Sequence, residues 1–505
     1  MNNRRLAKNT LFLYIRMFVS MGISFFTAGI VLKTLGVVDY GINNVVGGLV
    51  SMFTLISSSL SAASSRFITF ELGKKGGEPQ KVFSTSVHIH ILLAVIVAIL
   101  LETVGSWFLS NKLVIPAERM TAAFWVFQFS IMTTVVNLIN IPYVADMVAN
   151  EHMSAFAYIG ILDSLLRLAI LFILVLGDFD KLILYGMLQF MVVLSIQAIY
   201  YIYCKRHFKE ARVSWHTNPG LLRKMVTFSG WNFIGSSSAL LRDQGVNMIL
   251  NMFCGPAINA ARGIGMSVNG IINGFGTNLL AAINPQITKN YANGNLYDTF
   301  ILVTKASRYA FLLLFLIVIP ILSRTGLLLK IWLGEVPDHA VLFTQLTLCF
   351  SLIEILSNPL ITLMLATGNI KWYQIIVGGV QLLNLPLSYY CLSVGLAPES
   401  TVCSAIAVSF VCLYLRLIML HRMTGLNLWI FHKEVLAKAL FITCLSLSFY
   451  FLVNPYFGQS TLASFAYLAL SFVANGLLIL TFGMKKNERA ALCLVVLNKI
   501  RRVKS

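Results

Sequence analysis

Mostly polar side chains recur at three- and four-residue spacing along residues 258–284, a segment that is otherwise apolar. They are Asn259, Arg262, Met266, Asn269, Asn273 and Thr277. Helical geometry places residues at this spacing on one face. Because unpartnered amides in hydrocarbon are costly, this face indicates a hydrated cavity rather than contact with lipid. Asparagine both donates and accepts hydrogen bonds, as sugar hydroxyls do, so the face suits a glycan as well as water.

Other apolar segments carry polar residues with compatible spacing, among them residues 227–250 and 41–65. For the serines of 41–65, close packing between helices explains the pattern as well as a cavity does. From the three segments, and from the charged residue within 10–32, we predict a set of substrate-binding residues. They are Arg16, Asn43, Arg242, Asn247, Asn251, Arg262, Asn269 and Asn273.

Charged residues inside apolar segments are costly and are therefore functional candidates. Asp163 and Arg167 stand four residues apart, which favours a self-neutralising pair with a structural role. Arg242 and Asp243 are adjacent on a helix and point in different directions, so each is expected to need another partner. Asp243 and Glu354 are candidates for ion coupling, although Glu354 equally fits an acid that is hydrogen-bonded within a helix bundle.

Three arginines remain without an obvious neutralising partner nearby in sequence: Arg16, Arg242 and Arg262. A guanidinium is planar, remains charged at cellular pH and can donate two hydrogen bonds to one phosphate. These residues predict an anionic substrate that carries a phosphate or pyrophosphate.

The elements that must position these residues are apolar and long enough to cross a bilayer. Hydrophobic residues make up 58% of the chain and charged residues 11%. About 20 apolar residues in a helix span the hydrocarbon core, and such segments recur about fourteen times. We predict an all-α polytopic membrane protein with spans at 10–32, 41–65, 84–109, 121–145, 155–176, 181–203, 227–250, 258–284, 303–325, 341–366, 372–395, 399–420, 434–453 and 462–483.

The net charge of +19 raises the possibility of nucleic-acid binding, but the positions of the positive residues argue for membrane topology. With residue 1 inside, 27 of the 38 Lys and Arg lie in inside segments or near the inside ends of spans, and six lie in outside loops or at the outside end of a span. This asymmetry places both termini in the cytoplasm of a multi-pass protein of the cytoplasmic (inner) membrane. The basic segments at 205–224 and at the C terminus are then anchors for anionic membrane lipids, and no nucleic-acid partner is expected.

No cofactor or metal site is expected. The eight cysteines are scattered, with no C-x-x-C pair, and are interpreted as packing residues. His88 and His90 form an H-x-H at the start of the third span, but a second ligand cluster is missing from the sequence.

An internal repeat divides the chain. With an offset of 219 residues, the segment at 35–49 faces 254–268, and 68–81 faces 287–300. Six spans in each half give parallel repeats, which usually enclose a central substrate path. We therefore predict an N-terminal six-helix lobe (1–204), a cytoplasmic basic linker (205–226), a C-terminal six-helix lobe (227–422) and two accessory transmembrane helices with a basic tail (423–505).

At this point the chain resembles the polysaccharide flippases of the Wzx type, within the multidrug, oligosaccharidyl-lipid and polysaccharide (MOP) exporter superfamily. The resemblance lies in the fourteen spans, the 6 + 6 + 2 layout, LGVVDYGINNVVGGL at 35–49 and NPQITKNYANGN at 284–295. It implies that an undecaprenyl-pyrophosphate-linked oligosaccharide is translocated to the outer leaflet by alternating access. It also implies possible partners, namely a polysaccharide polymerase and glycosyltransferases. Cationic cavity residues engage the pyrophosphate in that family, and by position the candidates here are the three arginines.

Three alternatives remain. A lipid II flippase needs the same chemistry. A cation-coupled drug antiporter of this superfamily typically has an acidic residue on the first helix, and the first span here has none. A membrane glycosyltransferase or polymerase generally needs a large external loop, whereas the longest outside loop predicted here is about 326–340. An enzyme is therefore not expected.

Overall fold

The computed structural model describes residues 3–51, 54–111, 115–175, 180–214, 218–457, 460–485 and 488–489. Within these ranges the regular secondary structure is helical, and no strand is present. The basic tail at 501–505 and part of the predicted linker, 215–217, lie outside the described residues.

The first helices of the chain contain the predicted spans one to six. They are α1 (Asn3–Ser51), α2 (Thr54–Gly73), α3 (Pro79–Asn111), α4 (Ala117–Ala149), α5 (Met153–Val175) and α6 (Lys181–His207). The first two predicted spans are joined at Gly36 (φ 80°), where α1 is kinked. A positive φ suits glycine, which has no Cβ to clash with the backbone.

The remaining helices contain the predicted spans seven to fourteen. They are α7 (Pro219–Cys254), α8 (Pro256–Ala292), α9 (Leu296–Ser323), the short α10 (Thr325–Leu333), α11 (Ala340–Thr367), α12 (Lys371–Ser393), α13 (Ser400–Thr424), α14 (Leu428–Tyr456) and α15 (Thr461–Gly483).

Local sequence explains where several helices begin and end. The Asp180 carboxylate caps α6 by accepting hydrogen bonds from the backbone N–H groups of Leu182 (3.0 Å) and Ile183 (3.1 Å). At the end of α13, Gly425 adopts the left-handed conformation (φ 80°) that commonly terminates helices.

In the described part of the chain, ten helices are long and apolar enough to cross a membrane. The helices α1, α2, α7 and α8 are not among these ten, and they contain the polar residues from which the site was predicted. Together the helices confirm the prediction of an all-α, polytopic membrane protein.

The chain forms two compact units. The first unit comprises residues 1–237, 281–295 and 365–374, and the second comprises 238–280, 296–364 and 375–505. Buried apolar side chains such as Phe83 and Phe127 form the core of the first unit, and Leu250 and Phe343 belong to that of the second. The lobe boundaries expected from the repeat stay a prediction.

Candidate functional site

The first unit contains a polar cavity of about 650 Å³. It lies among α1, α4, α5 and α6, and two predicted site residues, Arg16 and Asn43, line it. The other polar and charged lining residues are Ser20, Thr27, Asn137, Asp163, Ser164, Arg167, Tyr185, Gln197 and Tyr200.

Arg16 is held in place by apolar and backbone contacts. Its guanidinium carbon lies 4.3 Å from the ring centroid of Phe156 on α5, in a cation–π arrangement. Gly160 permits this approach, because a Cβ there would come within 2.6 Å of Arg16 Cδ. One turn along α1, Ser20 Oγ is 2.7 Å from Ser164 Oγ and ties the two helices together.

The second arginine of this cavity is neutralised, as the four-residue spacing predicts. Arg167 Nε donates to both carboxylate oxygens of Asp163 at 3.0 and 3.1 Å. Arg167 Nη1 also donates to Gln189 Oε1 at 2.5 Å, and Gln189 Nε2 donates to the Tyr185 hydroxyl at 2.9 Å. Asp163 and Arg167 thus form the ion pair that their spacing predicts, and both side chains also line the cavity.

Among the described lining residues of this cavity, positive charges outnumber negative ones by one, and Arg16 is not bonded to a carboxylate. Among its described lining residues the charged groups are Arg16, Asp163 and Arg167, and Asp163 is bonded to Arg167. Arg16 remains the side chain available to an anion. The amide and hydroxyl groups around it offer both donors and acceptors.

The second unit contains a cavity of about 320 Å³ among α7, α8, α11, α12 and α13. Six predicted site residues line it: Arg242, Asp243, Arg262, Asn269, Asn273 and Glu354. The structure thus brings part of the predicted polar stripe to one cavity, and the role of these residues in substrate binding stays a prediction.

The charges of this cavity are arranged differently from the expectation. Arg242 Nε donates to Asp243 Oδ1 at 2.9 Å, and Nη2 donates to Oδ2 at 3.4 Å. The expectation that each needs another partner is wrong, because the long arginine side chain bends back along the helix to its neighbour. Arg262 is buried and donates to the Asp243 carbonyl oxygen at 3.3 Å and to Asn247 Oδ1.

Asn273 and Glu354 are also hydrogen-bonded to other side chains of this unit. Asn273 Nδ2 donates to Asn269 Oδ1 at 3.0 Å and to Ser351 Oγ at 3.3 Å. Glu354 accepts a hydrogen bond from Ser409 Oγ at 2.6 Å. Glu354 is thus an acid that is hydrogen-bonded within the helix bundle, which is one of the two alternatives that the sequence left open. Its side chain also lines the cavity.

The structure separates the predicted residues into groups. Arg16 and Asn43 line the cavity of the first unit, and Arg242, Arg262, Asn269 and Asn273 line that of the second. Asn247 is not among these lining residues and accepts a hydrogen bond from Arg262. Asn251 is exposed and lines neither of these two cavities. Sequence reasoning missed Asn137, Gln197 and Tyr200, because their helices are apolar enough to resemble lipid-facing spans.

A metal centre finds no support in the described part of the chain. No group of three or more His, Cys, Asp or Glu residues there could hold a metal ion.

Comparison with known families gives one match. The model of the family described as "Polysaccharide biosynthesis protein" matches residues 6–291, more than half of the chain. No curated protein matches the sequence significantly.

Several solved structures share the fold over most of their length. A MATE in the straight conformation is 13% identical, with a TM-score of 0.71, covering 83% of this chain and 96% of that one. An outward-facing multidrug resistance MATE family transporter of the MOP superfamily is 14% identical, with a TM-score of 0.69 and coverages of 84% and 97%. A MOP superfamily transporter from Pyrococcus furiosus is 14% identical, with a TM-score of 0.69 and coverages of 83% and 96%. At such identities the likeness shows the fold alone.

Proposed function

Because the chain belongs to the family of polysaccharide biosynthesis proteins and has the fold of MOP superfamily transporters, we propose that it is a flippase for a lipid-linked oligosaccharide. The proposed substrate is an undecaprenyl-pyrophosphate-linked oligosaccharide, moved from the inner to the outer leaflet of the cytoplasmic membrane by alternating access. The glycan is a precursor of a surface polysaccharide such as O-antigen (part of lipopolysaccharide), capsule or exopolysaccharide.

The observation that carries this proposal is the unbalanced charge of Arg16 in the cavity of the first unit. A pyrophosphate needs a cation that other protein groups do not already neutralise. Arg16 meets this condition, whereas Arg167 in the same cavity is bonded to Asp163. A guanidinium that is held against Phe156 loses little side-chain freedom when it binds an anion.

The remaining lining supports a glycan. The cavity wall presents the amides of Asn43, Asn137 and Gln197 and the hydroxyls of Tyr185 and Tyr200. These groups can exchange hydrogen bonds with sugar hydroxyls without requiring one particular sugar. The cavity of the second unit has a polar lining of its own, which includes Arg262, Asn269 and Asn273.

The drug-antiporter alternative is less well supported by this site. A cationic drug needs a free acidic group, and Asp163, the acid among the described lining residues of the first cavity, is bonded to Arg167. A lipid II flippase would use the same cation and amide chemistry. Genes for glycosyltransferases or a polysaccharide polymerase beside the gene would favour the surface-polysaccharide substrate and name the partners of the pathway.

The test is complementation of cells that lack the gene, with lipid-linked oligosaccharide measured in the inner leaflet. We expect Arg16→Ala to lower export by about tenfold or more, the scale of losing one charge-assisted hydrogen bond. Arg16→Lys should restore part of the export, because it keeps the charge and loses the planar fork. The double variant Arg242→Ala, Arg262→Ala should also lose export.

A matched control separates binding from folding. Arg206→Ala removes an exposed arginine outside both cavities and should leave export unchanged. Membrane abundance of each variant is measured in parallel. Normal surface polysaccharide from Arg16→Ala would overturn the assignment of an anionic substrate to this cavity, and loss of abundance in proportion to export would assign Arg16 to packing.

A further inference from the structure

Another cavity of the first unit is strongly cationic and shares no lining residue with the two cavities described above. Its volume is about 530 Å³, and four positive residues line it: Arg66, Arg223, Lys224 and Lys371. No carboxylate is present among its described lining residues. Because it is built by the end of α2, the start of α7 and the segment between α11 and α12, it lies where the predicted cytoplasmic loops meet these helices.

One wall of this cavity is fixed by Arg66. Its Nε donates to the carbonyl oxygen of Leu365 at 3.2 Å, and its Nη2 donates to that of Ala366 at 2.9 Å. The guanidinium carbon lies 4.5 Å from the ring centroid of Phe67. Gly368, with φ of +77°, leaves room for it, because a Cβ there would lie 2.7 Å from Arg66 Nη2.

The other three cations are free to adapt. Arg223, Lys224 and Lys371 are exposed. Lys371 Nζ lies 5.5 Å from the ring of Trp231 and 5.6 Å from that of Trp372. Long cationic side chains of this kind move their charged ends toward an anion while their stems remain on an aromatic surface.

The cavity adjoins apolar side chains that are open to the surroundings. Trp372 is 61% exposed and Val226 is 49% exposed, although both belong to helices that carry the cations. Tryptophan at a membrane boundary places its apolar ring among lipids and its polar edge near headgroups. A soluble anion would gain nothing from this apolar border, whereas a lipid would contact it with its acyl chains.

We propose that this cavity binds the phosphate headgroup of an anionic phospholipid from the adjacent leaflet. The fixed Arg66 forms the back of the site, and Arg223, Lys224 and Lys371 close around the phosphate. Bound lipid would then join the end of α2 to the starts of α7 and α12. The site is separate from the transport cavities and does not depend on the identity of the transported substrate.

The test is native mass spectrometry of the purified full-length protein, with phosphatidylglycerol or phosphatidylcholine added in detergent. We expect phosphatidylglycerol to be retained in preference to the zwitterionic lipid. The triple variant Arg223→Gln, Lys224→Gln, Lys371→Gln should weaken phosphatidylglycerol binding by about tenfold or more, given the attraction of each basic residue for an anionic lipid surface.

The chain offers a control of equal composition. The triple variant Lys205→Gln, Arg206→Gln, Lys209→Gln removes two lysines and one arginine from exposed positions outside the cavity. It should retain phosphatidylglycerol in detergent like the wild type, because the anchoring expected of residues 205–224 is an attraction to a charged membrane surface rather than to a single lipid. An equal loss in both triple variants would overturn the proposal, because the attraction would then be a general property of the basic surface.

Two competition experiments distinguish a phospholipid headgroup from other phosphate compounds. Inorganic phosphate and pyrophosphate should fail to displace phosphatidylglycerol at millimolar concentration, since they lack acyl chains; displacement would contradict a lipid site. Undecaprenyl pyrophosphate should not be preferred over phosphatidylglycerol in the wild type. A preference that is lost in the cavity triple variant would reassign the cavity to the transported lipid and overturn the phospholipid proposal.

Discussion

At the scale of single residues, the cavity arginines differ in the partners that already hold their charge within the protein. Arg16, Arg242 and Arg262 are alike in the sequence, but the structure distinguishes them. Arg242 is bonded to Asp243, and Arg262 is bonded to the Asp243 carbonyl oxygen and Asn247. Arg16 lies against Phe156, and the acid of its cavity is bonded to another arginine. Its guanidinium is therefore the strongest candidate to hold an anionic group.

The position of Arg16 depends on a glycine opposite it, which gives a steric test. Gly160→Ala should displace Arg16, because the new Cβ would lie within 2.6 Å of Arg16 Cδ, and we expect transport to fall severalfold with protein abundance retained. Gly22→Ala on α1 is the matched control, since nothing lies within 4 Å of a Cβ there. Both substitutions raise helix propensity by about 1 kcal/mol. Equal transport by the two variants would show that the placement of Arg16 is unimportant.

The two acids of the second cavity have different hydrogen-bond partners. Asp243 is held by Arg242, whereas Glu354 accepts its hydrogen bond from a serine hydroxyl. If Glu354 couples transport to a cation, we expect Glu354→Gln to abolish the response of transport to an imposed cation gradient and Asp243→Asn to keep it. The measurement is the transport rate in vesicles with and without the gradient. An unchanged response in Glu354→Gln would eliminate this residue as a coupling site.

Sequence alone could predict part of the site at this scale. Arg16 and Arg262 stand out because charge is rare in apolar segments, and Asn269 and Asn273 because they repeat at helical spacing. The lining residue Gln197 is one of only two amides, with Gln189, in the predicted span 181–203. Its orientation depends on the packing of α6 against α4, which periodicity within one helix cannot show.

At the scale of elements, polar contacts connect helices that are far apart in sequence. Glu151, in the turn between α4 and α5, is buried and has a positive φ of 61°. Its carboxylate accepts hydrogen bonds from Lys289 Nζ at 3.2 Å and Gln286 Nε2 at 3.3 Å, both on α8. Its carbonyl oxygen accepts one from Asn9 Nδ2 on α1 at 3.3 Å. One residue thus links the ends of three elements of the first unit.

The ion pair at this junction can be tested by charge reversal. Glu151→Lys and Lys289→Glu each place two like charges side by side at a site where Glu151 is buried. Breaking a buried ion pair lowers the free energy of unfolding by roughly 3–5 kcal/mol. We expect each single variant to lower thermal stability of the purified protein, and the double variant to recover most of it. If the double variant is no more stable than the singles, the pair does not join these elements.

The elements were predictable to different degrees. Length and apolarity were sufficient to locate spans such as α9 and α11, whereas α1, α2, α7 and α8 are less apolar. The kink at Gly36 was not predicted: the spans 10–32 and 41–65 were expected to be separate helices, but one helix that is bent at Gly36 contains the first and part of the second. Close approach between elements is also invisible in sequence. Gly73 lies so near the backbone of Lys289 that an added Cβ would be 2.7 Å from its Cα.

At the scale of the whole molecule, the asymmetry of 27 inside to six outside basic residues predicts cytoplasmic termini. The test is cysteine labelling with an impermeant maleimide in intact cells, after replacement of the eight native cysteines. Lys209→Cys, in the predicted cytoplasmic linker, should remain unlabelled. Glu335→Cys, which is exposed in a predicted outside loop, should label readily. The opposite labelling pattern would invert the topology.

The central claim is that the protein moves an anionic lipid-linked oligosaccharide across a bilayer, and reconstitution tests it most directly. Purified protein is placed in liposomes that carry a labelled undecaprenyl-pyrophosphate-linked oligosaccharide, and a glycosidase outside reports how much substrate remains accessible. We predict that wild-type protein moves the substrate between leaflets, and that Arg16→Ala does so at least about tenfold more slowly. Two results would contradict this function. One is that the substrate crosses liposomes with wild-type protein no faster than protein-free liposomes; the other is that it crosses equally fast with wild-type protein and with Arg16→Ala.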